Sequence, residues 1–349
     1  MKNISTETCA AIAACALTLP AMAQAPGSVI SWGSCDTSCA PPEFGGPYAS
    51  ICARHAHVAA IGASRSVVCW GSNYAGQCNV PPDLGPVISV SVGQAITVAV
   101  REDGSIRCWG YSNLGGCPTV PSPGSVGAVQ VACSLYSAAI RLADGTVLGG
   151  SPPTAASPSS FIAAGDEHWL SIRTDGQVVG WGSNQLGQTN TPANLGACKH
   201  VAGGGSHSCA VTADGAVRCW GYSNYGQCSV PANLPPALET AAGREHTIVL
   251  LEDGTIRGWG HNSWGEANNP GVANARHVAC GWYTSFALVG TPCIGDLYRN
   301  GRIDGADLGI LLSEWGLVNP TTQSDLNYDG RVDGADLGSL LSNWGPCPN

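Results

Sequence analysis

An all-β fold, a seven-bladed β-propeller closed by strands from both ends of the chain, is predicted by two observations, and a third adds a small α-helical domain. A Trp-Gly pair recurs at intervals of about 40 residues, and Asp-Gly turns separate runs of alternating small and apolar residues. A repeat of this length is typical of propellers and other repeat arrays. Near the C-terminus, a shorter segment occurs twice, 29 residues apart.

The Trp-Gly repeat sets the number of blades. Six copies carry tryptophan, at steps of 38, 39, 72, 39 and 39 residues, and Leu148-Gly149 fills the double step as a degenerate seventh copy. The six tryptophans are Trp32, Trp70, Trp109, Trp181, Trp220 and Trp259. The copy at Leu148 is followed by a Pro- and Ser-rich loop at 151–160, so we expect this blade to depart most from the others.

Each copy predicts a short antiparallel sheet. An Asp-Gly pair between two apolar runs favours a hairpin, because both residues tolerate positive φ. These pairs begin at Asp103, Asp144, Asp175, Asp214 and Asp253. We therefore expect four short strands in each blade. The chain starts on the second half of a copy, at 29–33, and the repeats finish on a first half, at 278–289. Pairing of these two halves would close the ring and leave no unpaired strand edge between the first and last blades.

A family resemblance follows from the best copy. This copy reads Gly204-x-x-His207-Ser208-x-Ala210-Val211, then Asp214-Gly215-x-Val217, then Trp220-Gly221-x-x-x-x-Gly226-Gln227. The pattern resembles the repeat of the regulator-of-chromosome-condensation family, and the resemblance covers residues from about 28 to 290. Copies that end in Val-Pro, such as 77–81, are more similar to bacterial secreted propellers that include a β-lactamase-inhibitor protein.

The first residues have the pattern of a secretory signal peptide. Lys2 supplies a positive charge, 9–19 form an apolar run, and Ala21-Met22-Ala23 is a small-x-small cleavage site. The predicted domains are a signal peptide at 1–23, the propeller at 24–290 and a C-terminal module at 291–349. No later segment reaches about 18 uninterrupted apolar residues, so a membrane span is not expected. We expect a secreted or cell-surface protein.

The charge of the chain argues against two classes of partner. Its net charge is −9, and no run of Lys or Arg forms a basic stripe. Nucleic acids and anionic lipid surfaces are recognised by such stripes, so neither is an expected partner.

Fifteen cysteines follow the cleavage site, which agrees with an oxidising compartment. In three copies, two cysteines flank the Trp-Gly turn nine residues apart, and in the other copies both positions change together. This co-occurrence predicts the disulfides Cys69–Cys78, Cys108–Cys117 and Cys219–Cys228. Cys293 and Cys347 bracket the C-terminal module and are predicted to clamp its ends. A local Cys35–Cys39 bridge stays open, and Cys52, Cys133, Cys198, Cys209 and Cys280 are unassigned.

The C-terminal duplication predicts two calcium loops of the EF-hand kind, which place oxygen ligands at positions 1, 3, 5, 7, 9 and 12. The second loop supplies them from Asp325, Asn327, Asp329, Arg331 (by its carbonyl), Asp333 and Asp336. The first loop offers Asp296, Asn300, Arg302, Asp304 and Asp307, and has Tyr298 at position 3. A solvated acidic turn without calcium is the alternative, and it is stronger for the first loop.

The C-terminal module resembles bacterial dockerins, because position 12 is Asp and only the helix that leaves the second loop, at 335–344, is evident. The resemblance implies a calcium-dependent domain that docks on a cohesin-like partner. Dockerin recognition residues lie near loop positions 10 and 11, here Gly305-Ala306 and Gly334-Ala335. These small side chains differ from the hydroxyl pairs common in cellulosomal dockerins.

Two sets of residues in the propeller are candidates for function. Four histidines share one repeat position, and a propeller spreads equivalent positions around its ring. A hydrogen-bonding role is therefore favoured over a metal cluster for His57, His168, His207 and His246. Large apolar side chains after Trp-Gly would form a binding face if exposed, although packing between blades is the favoured interpretation. The candidate face consists of Tyr111, Leu114, Tyr222, Tyr225 and Trp264.

No catalytic pattern is evident in the sequence, so the leading hypothesis is a non-catalytic propeller that binds a protein or, as a second choice, a glycan. The dockerin-like tail would hold it in an extracellular assembly or at the cell surface. One alternative is an accessory or catalytic component of polysaccharide degradation, because dockerins commonly carry such proteins. Another is a secreted inhibitor of a β-lactamase-type enzyme.

Overall fold

Seven three-stranded antiparallel sheets form the propeller in a computed structural model of the chain. The structure describes residues 28–34, 48–62, 64–111, 127–290, 295, 297, 302–316, 324–326 and 331–346. The predicted signal peptide lies outside these residues. We number the sheets as blades 1 to 7 and the strands as β1 to β23 in chain order.

The blades follow one another along the chain. Blade 1 contains β2 (Tyr48–Arg54), β3 (His57–Gly62) and β4 (Val67–Gly71), and blade 2 contains β5 (Val87–Val92), β6 (Ile96–Arg101) and β7 (Ile106–Gly110). Blade 3 contains β8 (Ala128–Cys133), β9 (Ala138–Leu142) and β10 (Val147–Leu148), and blade 4 contains β11 (Ser159–Ala164), β12 (His168–Arg173) and β13 (Val178–Gly182). Blade 5 contains β14 (Cys198–Gly203), β15 (His207–Thr212) and β16 (Val217–Gly221), and blade 6 contains β17 (Ala237–Ala242), β18 (His246–Leu251) and β19 (Ile256–Gly260).

Blade 7 confirms the predicted closure of the ring. It contains β20 (Ala275–Cys280), β21 (Thr284–Val289) and the first strand of the chain, β1 (Ser28–Gly33). β1 pairs with β21 in antiparallel register, from Ser28 opposite Val289 to Gly33 opposite Thr284. The two half-copies at the ends of the repeat region therefore complete one blade.

The prediction of four strands in each blade is wrong, because the described part of each sheet has three. After β4, the chain turns at Asn73–Gly76 and continues through Pro81 and Pro82. Proline has no N–H to donate to a ladder, so this stretch cannot extend the sheet as a regular strand. The degenerate copy also behaves as expected, since β10 has only two residues.

The Asp-Gly turns form as predicted. Asp103 accepts a hydrogen bond from the N–H of Ser105 at 2.9 Å, and Gly104 has a φ of +77°. Apolar side chains of neighbouring blades pack together; for example, Val98 of blade 2 lies in one buried cluster with Ile140 of blade 3. The hairpins thus present one apolar surface to each neighbouring blade.

Hydrogen bonds also join successive blades, and they use the repeated histidine. His57 Nε2 lies 3.1 Å from Thr97 Oγ1 of the next blade, and this hydroxyl donates to the carbonyl oxygen of Gln77 at 2.8 Å. Because the hydroxyl proton is used there, the hydroxyl accepts from the histidine N–H. The predicted hydrogen-bonding role is confirmed. Equivalent pairs are His168 with Ser208, His207 with Thr247 and His246 with Ser285.

The predicted Cys219–Cys228 disulfide is wrong, because Cys219 is bonded to Cys209. These two residues lie directly opposite each other in the β15–β16 pair, with Cα atoms 4.1 Å apart. Cys228 is free, and its Sγ lies 3.4 Å from the carbonyl oxygen of Tyr222.

The other predicted disulfides have different outcomes. Cys69 and Cys78 are both free, so that prediction is also wrong. Cys69 faces Ala59 across the sheet, and Cys78 Sγ lies 3.3 Å from the carbonyl oxygen of Ser72. Cys108 is disulfide-bonded, and its predicted partner Cys117 lies outside the described residues. Cys293, Cys347, Cys35 and Cys39 lie outside them too, while Cys52, Cys133, Cys198 and Cys280 are free.

Two short helices follow the propeller, α1 (Gly305–Ser313) and α2 (Gly334–Ser342), with a two-residue pair between β22 (Arg302–Ile303) and β23 (Gly345–Pro346). The side chains of Asp304 and Asp333 cap the helices, each accepting a backbone N–H two residues later. Apolar residues of the two copies form one small buried cluster: Leu297, Ile303, Leu311, Val332 and Leu340. Among the described residues, no helix is long and apolar enough to cross a bilayer.

Candidate functional site

Two kinds of loop meet on one face of the propeller. His57, at the start of β3, pairs with Gly71, at the end of β4, and the same register recurs at His207 with Gly221. The tips that join the first two strands of a blade therefore lie on the same side as the segments that follow the third strand. We call this side the aromatic face, because its loops carry exposed side chains of Tyr74, Tyr111, Tyr136, Leu186, Tyr225 and Trp264.

The predicted binding residues divide into three groups. Tyr111 and Tyr225 are each 48% exposed and Trp264 is 61% exposed, so the favoured interpretation of packing between blades is wrong for these three. Tyr222 is half-buried, and Leu114 lies outside the described residues. The alternative, that these side chains are exposed on one face of the propeller, therefore describes the structure better.

Two exposed tyrosines were missed as candidates. Tyr74 follows the Trp-Gly pair of blade 1 and is 69% exposed, so its position in the repeat was the available signal. Tyr136 lies in the tip between β8 and β9 and is 50% exposed. Together with Tyr111 and Leu135 they line an open cavity of about 300 Å³ over blades 1 to 3. This part of the face is apolar.

A row of rings crosses blades 5 to 7. The ring centroids of Tyr222 and Tyr225 are 6.3 Å apart, those of Tyr225 and His261 are 5.3 Å apart, and those of His261 and Tyr283 are 5.5 Å apart. Such spacings and tilts are typical of aromatic contacts that hold one another in place. The row gives this half of the face a rigid aromatic surface.

His261 in this row is oriented by a buried carboxylate. Its Nδ1 contacts Glu266 Oε1, and its Nε2 lies 3.1 Å from Ser263 Oγ. Glu266 is fully buried and also accepts the N–H of Trp264 at 2.9 Å. In blade 4 the equivalent positions hold neutral groups, since Gln188 Nε2 donates to Ser183 Oγ at 3.4 Å. Sequence reasoning missed the paired exchange to His and Glu in a single copy.

An arginine and a tryptophan lie towards the centre of the face. Arg244, in the tip between β17 and β18, lies over the ring of Trp282, with its guanidinium carbon 4.5 Å from the ring centroid and 6.0 Å from that of Tyr283. The ring of His55 is 3.8 Å from that of Trp282. Burial lowers the pKa of His55; the negative charge of Asp166 opposes this in part, and the positive charge of Arg244 adds a smaller lowering. His55 is therefore neutral at pH 7.

A second arginine spans the ring itself. Arg54 of blade 1 donates to Asp166 Oδ1 of blade 4 at 3.0 Å, to the carbonyl oxygen of Ala164, and to that of Gly203 in blade 5 at 3.3 Å. Both charged side chains are only 14% exposed. Since blades 4 and 5 lie opposite blade 1 in a ring of seven, Arg54 crosses the central channel and ties its two sides together.

The calcium ligands predicted for the tail are only partly described. Asp336 Oδ1 accepts the N–H of Leu326 at 2.7 Å, so positions 1 and 12 of the second loop are close together. Within the described residues, no group of three acidic, histidine or cysteine side chains is arranged to hold a metal ion. Asn327, Asp329, Asp296 and Asn300 lie outside those residues, and calcium binding stays a prediction.

Comparison with known proteins supports the repeat. The family profile "Regulator of chromosome condensation (RCC1) repeat" matches residues 87–115, 160–188, 198–227 and 239–266. The chain carries RCC1 repeats. A search of curated protein sequences gives no significant match.

Solved structures are similar to this fold at low sequence identity. Prp20p from Saccharomyces cerevisiae is 16% identical, with a TM-score of 0.64 over 79% of this chain and 93% of that one. Human WBSCR16 is 16% identical, with a TM-score of 0.60 over 75% and 99%. The ectodomain of the Physcomitrella patens receptor kinase CR4 is 21% identical, with a TM-score of 0.58 over 70% and 71%. These likenesses establish the fold alone.

Proposed function

We propose that this protein is an exported, non-catalytic RCC1-type propeller that binds a partner protein through its aromatic face, and that its C-terminal module attaches it to an extracellular assembly or a cell surface. The observation that carries the proposal is the aromatic face, where six large apolar side chains are 48% to 69% exposed. Aromatic side chains of this kind are enriched at the centres of protein interfaces. The fold supports the same reading, because RCC1-type propellers bind proteins.

Relatives in fold agree with a role in recognition. The structure of Prp20p was described together with its binding properties to Gsp1p and histones, and yeast RCC1 has been crystallised with Kap60. An exported chain with a net charge of −9 would meet different partners, so only the use of the propeller as a binding platform is carried over.

Replacing Tyr225 and Trp264 together by alanine is expected to lower partner affinity at least tenfold, because each exposed ring would contribute about 2 kcal/mol at an interface centre. The measurement is capture of partners from the source culture by the immobilised protein in EGTA, which removes calcium-dependent binding by the tail. Leu238→Ala is the matched control. Leu238 is 45% exposed and follows Ala237, which pairs with Leu251 at the end of β17 far from the aromatic face. Equal capture by both variants would exclude this face.

Calcium binding is the second part of the proposal. Asp336 is fully buried, its Oδ2 accepts the N–H of Asp333 at 2.9 Å, and Asp325 is 5% exposed. Two buried carboxylates at positions 1 and 12 of one loop repel each other unless a cation lies between them, so the donor set fits Ca²⁺. The bound ion would fix the loop and the start of α2. Asn327, Asp329 and the carbonyl of Arg331 would complete the set.

Removal of one second-loop ligand is expected to abolish the tighter calcium site. We expect calorimetric titration of the full chain with Ca²⁺ to show a tight site from the second loop and a weaker one from the first. Asp325→Ala should remove the tight site because it takes away the ligand at position 1. Asp253→Ala, in an exposed propeller turn, should bind calcium as the wild type does. A wild-type chain that takes up no calcium would contradict the tail assignment and leave the aromatic face untouched.

A further inference from the structure

Arg244 is an exposed cation that forms no ion pair with the residues that the structure describes. None of the ion pairs among the described residues includes it, and its guanidinium carbon lies over the Trp282 ring, 4.5 Å from the centroid. Stacking on a ring uses the face of the guanidinium and leaves its N–H edges available. It also restricts the rotamers of the side chain, which lowers the entropy lost when a ligand binds.

The floor beneath Arg244 holds two further polar atoms that have no partner. Trp282 Nε1 and His55 Nδ1 are both buried and make no hydrogen bond within the described structure. A buried donor left unpaired costs about 1–3 kcal/mol. A buried polar atom without a partner calls for an explanation, and a bound water or ion is one. Here both atoms belong to rings that lie in one cluster with the Arg244 guanidinium.

We propose that Arg244 on the Trp282 ring is a subsite for a single carboxylate, the side chain of an Asp or Glu in a surface segment of the partner protein. A carboxylate matches the planar N–H fork of arginine with two parallel hydrogen bonds. The aromatic row from Tyr225 to Tyr283 would pack against the apolar neighbours of that acidic residue. This inference rests on the proposed function and names one chemical feature of the partner.

The surrounding charges favour a single carboxylate over a polyanion. Asp166 is neutralised by Arg54, and the buried Glu266 carboxylate is hydrogen-bonded to His261 and to the N–H of Trp264. Glu245 and Glu167 remain at the rim, next to Arg244 and Asp166 in the chain. Repeated phosphates or sulfates would be repelled by these two carboxylates. One acidic side chain can reach Arg244 without that cost, which is why a protein segment is favoured over a nucleic acid or a sulfated glycan.

The test uses a fluorescein-labelled peptide with a single glutamate in a Gly-Ser and Tyr background, and binding to the full chain at low ionic strength is measured by fluorescence anisotropy. We expect binding that weakens at least tenfold in Arg244→Ala and also weakens in Arg244→Lys, because lysine cannot form the two parallel bonds. Arg257→Ala is the control, an exposed arginine in β19 of the same blade, and it should bind like the wild type. Circular dichroism and thermal unfolding check that the variants are folded.

Several outcomes would overturn the carboxylate subsite. These are equal binding by Arg244→Ala, no binding by the wild type, or equal affinity for the same peptide with glutamine in place of glutamate. An oligogalacturonate that binds through Arg244 more tightly than the peptide would assign the site to a glycan and also overturn the inference. If Arg244→Ala still captures culture partners while the Tyr225 and Trp264 variant does not, the subsite fails and the proposed function stands.

Discussion

Acidification from pH 7 to pH 5 is expected to destabilise the propeller steeply, because four buried histidines stay neutral in the fold. Burial lowers the pKa of His57 to about 4 and the pKa values of the other three, His168, His207 and His246, to about 3. In the unfolded chain these side chains titrate near 6.5. Below that pH the unfolded chain binds protons that the folded chain does not, so the free energy of unfolding falls as the pH falls.

The expected size of this effect is large. Each histidine contributes about 1.4 kcal/mol per pH unit once the pH is well below 6.5, so four contribute about 5.5 kcal/mol per unit. A typical domain has about 5–15 kcal/mol of stability in total. The turn aspartates, such as Asp103 and Asp253, have pKa values lowered by hydrogen bonds within their turns and act only at still lower pH. The range from pH 6.5 to pH 5 therefore reports on the histidines.

Urea unfolding at a series of pH values measures this dependence. His246→Gln retains an N–H that can reach Ser285 but does not titrate, so the pH slope should fall by about 1.4 kcal/mol per unit. A non-titrating side chain is compatible with this repeat position, since blade 2 has Ile96 and blade 7 has Thr284. The same slope in the variant and the wild type would contradict the assignment.

Removal of the Arg54 side chain is expected to cost about 3–5 kcal/mol of unfolding free energy, because it leaves a mostly buried carboxylate without its partner. Asp166 would lose its ion pair, and the carbonyl oxygens of Ala164 and Gly203 would lose a donor. The measurement is urea unfolding of Arg54→Ala at neutral pH. Since the bonds cross the channel, the loss would affect the whole ring and not one blade.

A surface ion pair supplies the control for Arg54. Arg107 and Asp83 are 2.9 Å apart, but their side chains are 41% and 71% exposed, so Arg107→Ala should cost about 1 kcal/mol or less. The double variant of Arg54 and Asp166 to alanine should be less destabilised than the sum of the two single variants. Equal costs for Arg54→Ala and Arg107→Ala would show that the bridge does not stabilise the ring.

The architecture could be predicted because each blade is specified within its own stretch of about 40 residues. The hairpins depend on local Asp-Gly turns, and the closing pair depends on which half of the repeat stands at each end. The disulfide error has a local cause as well. Cys209 occurs in one copy only, so a comparison between copies gave no reason to pair it with Cys219, although the strand register places the two face to face.

The candidate site could be predicted only in part, because much of it depends on contacts between residues that are far apart in the chain. Tyr225 and Trp264 each follow a Trp-Gly pair, so their position in the repeat identified them as candidates. The bridge from Arg54 to Asp166 joins residues 112 positions apart, and the stack of Arg244 on Trp282 joins two blades. Such pairs depend on where the closed ring places each tip. No spacing along the chain encodes that distance.

The closure of blade 7 also determines how the propeller would bear mechanical load. If the C-terminal module is held by a partner, tension enters the ring at Val289, the last residue of β21. This strand lies between β20 and β1 and is paired with both. Ladder hydrogen bonds run perpendicular to the strands, so a pull along β21 loads two ladders in shear and engages their bonds together. The strand that joins the two ends of the propeller is thus also the one suited to anchor it under flow.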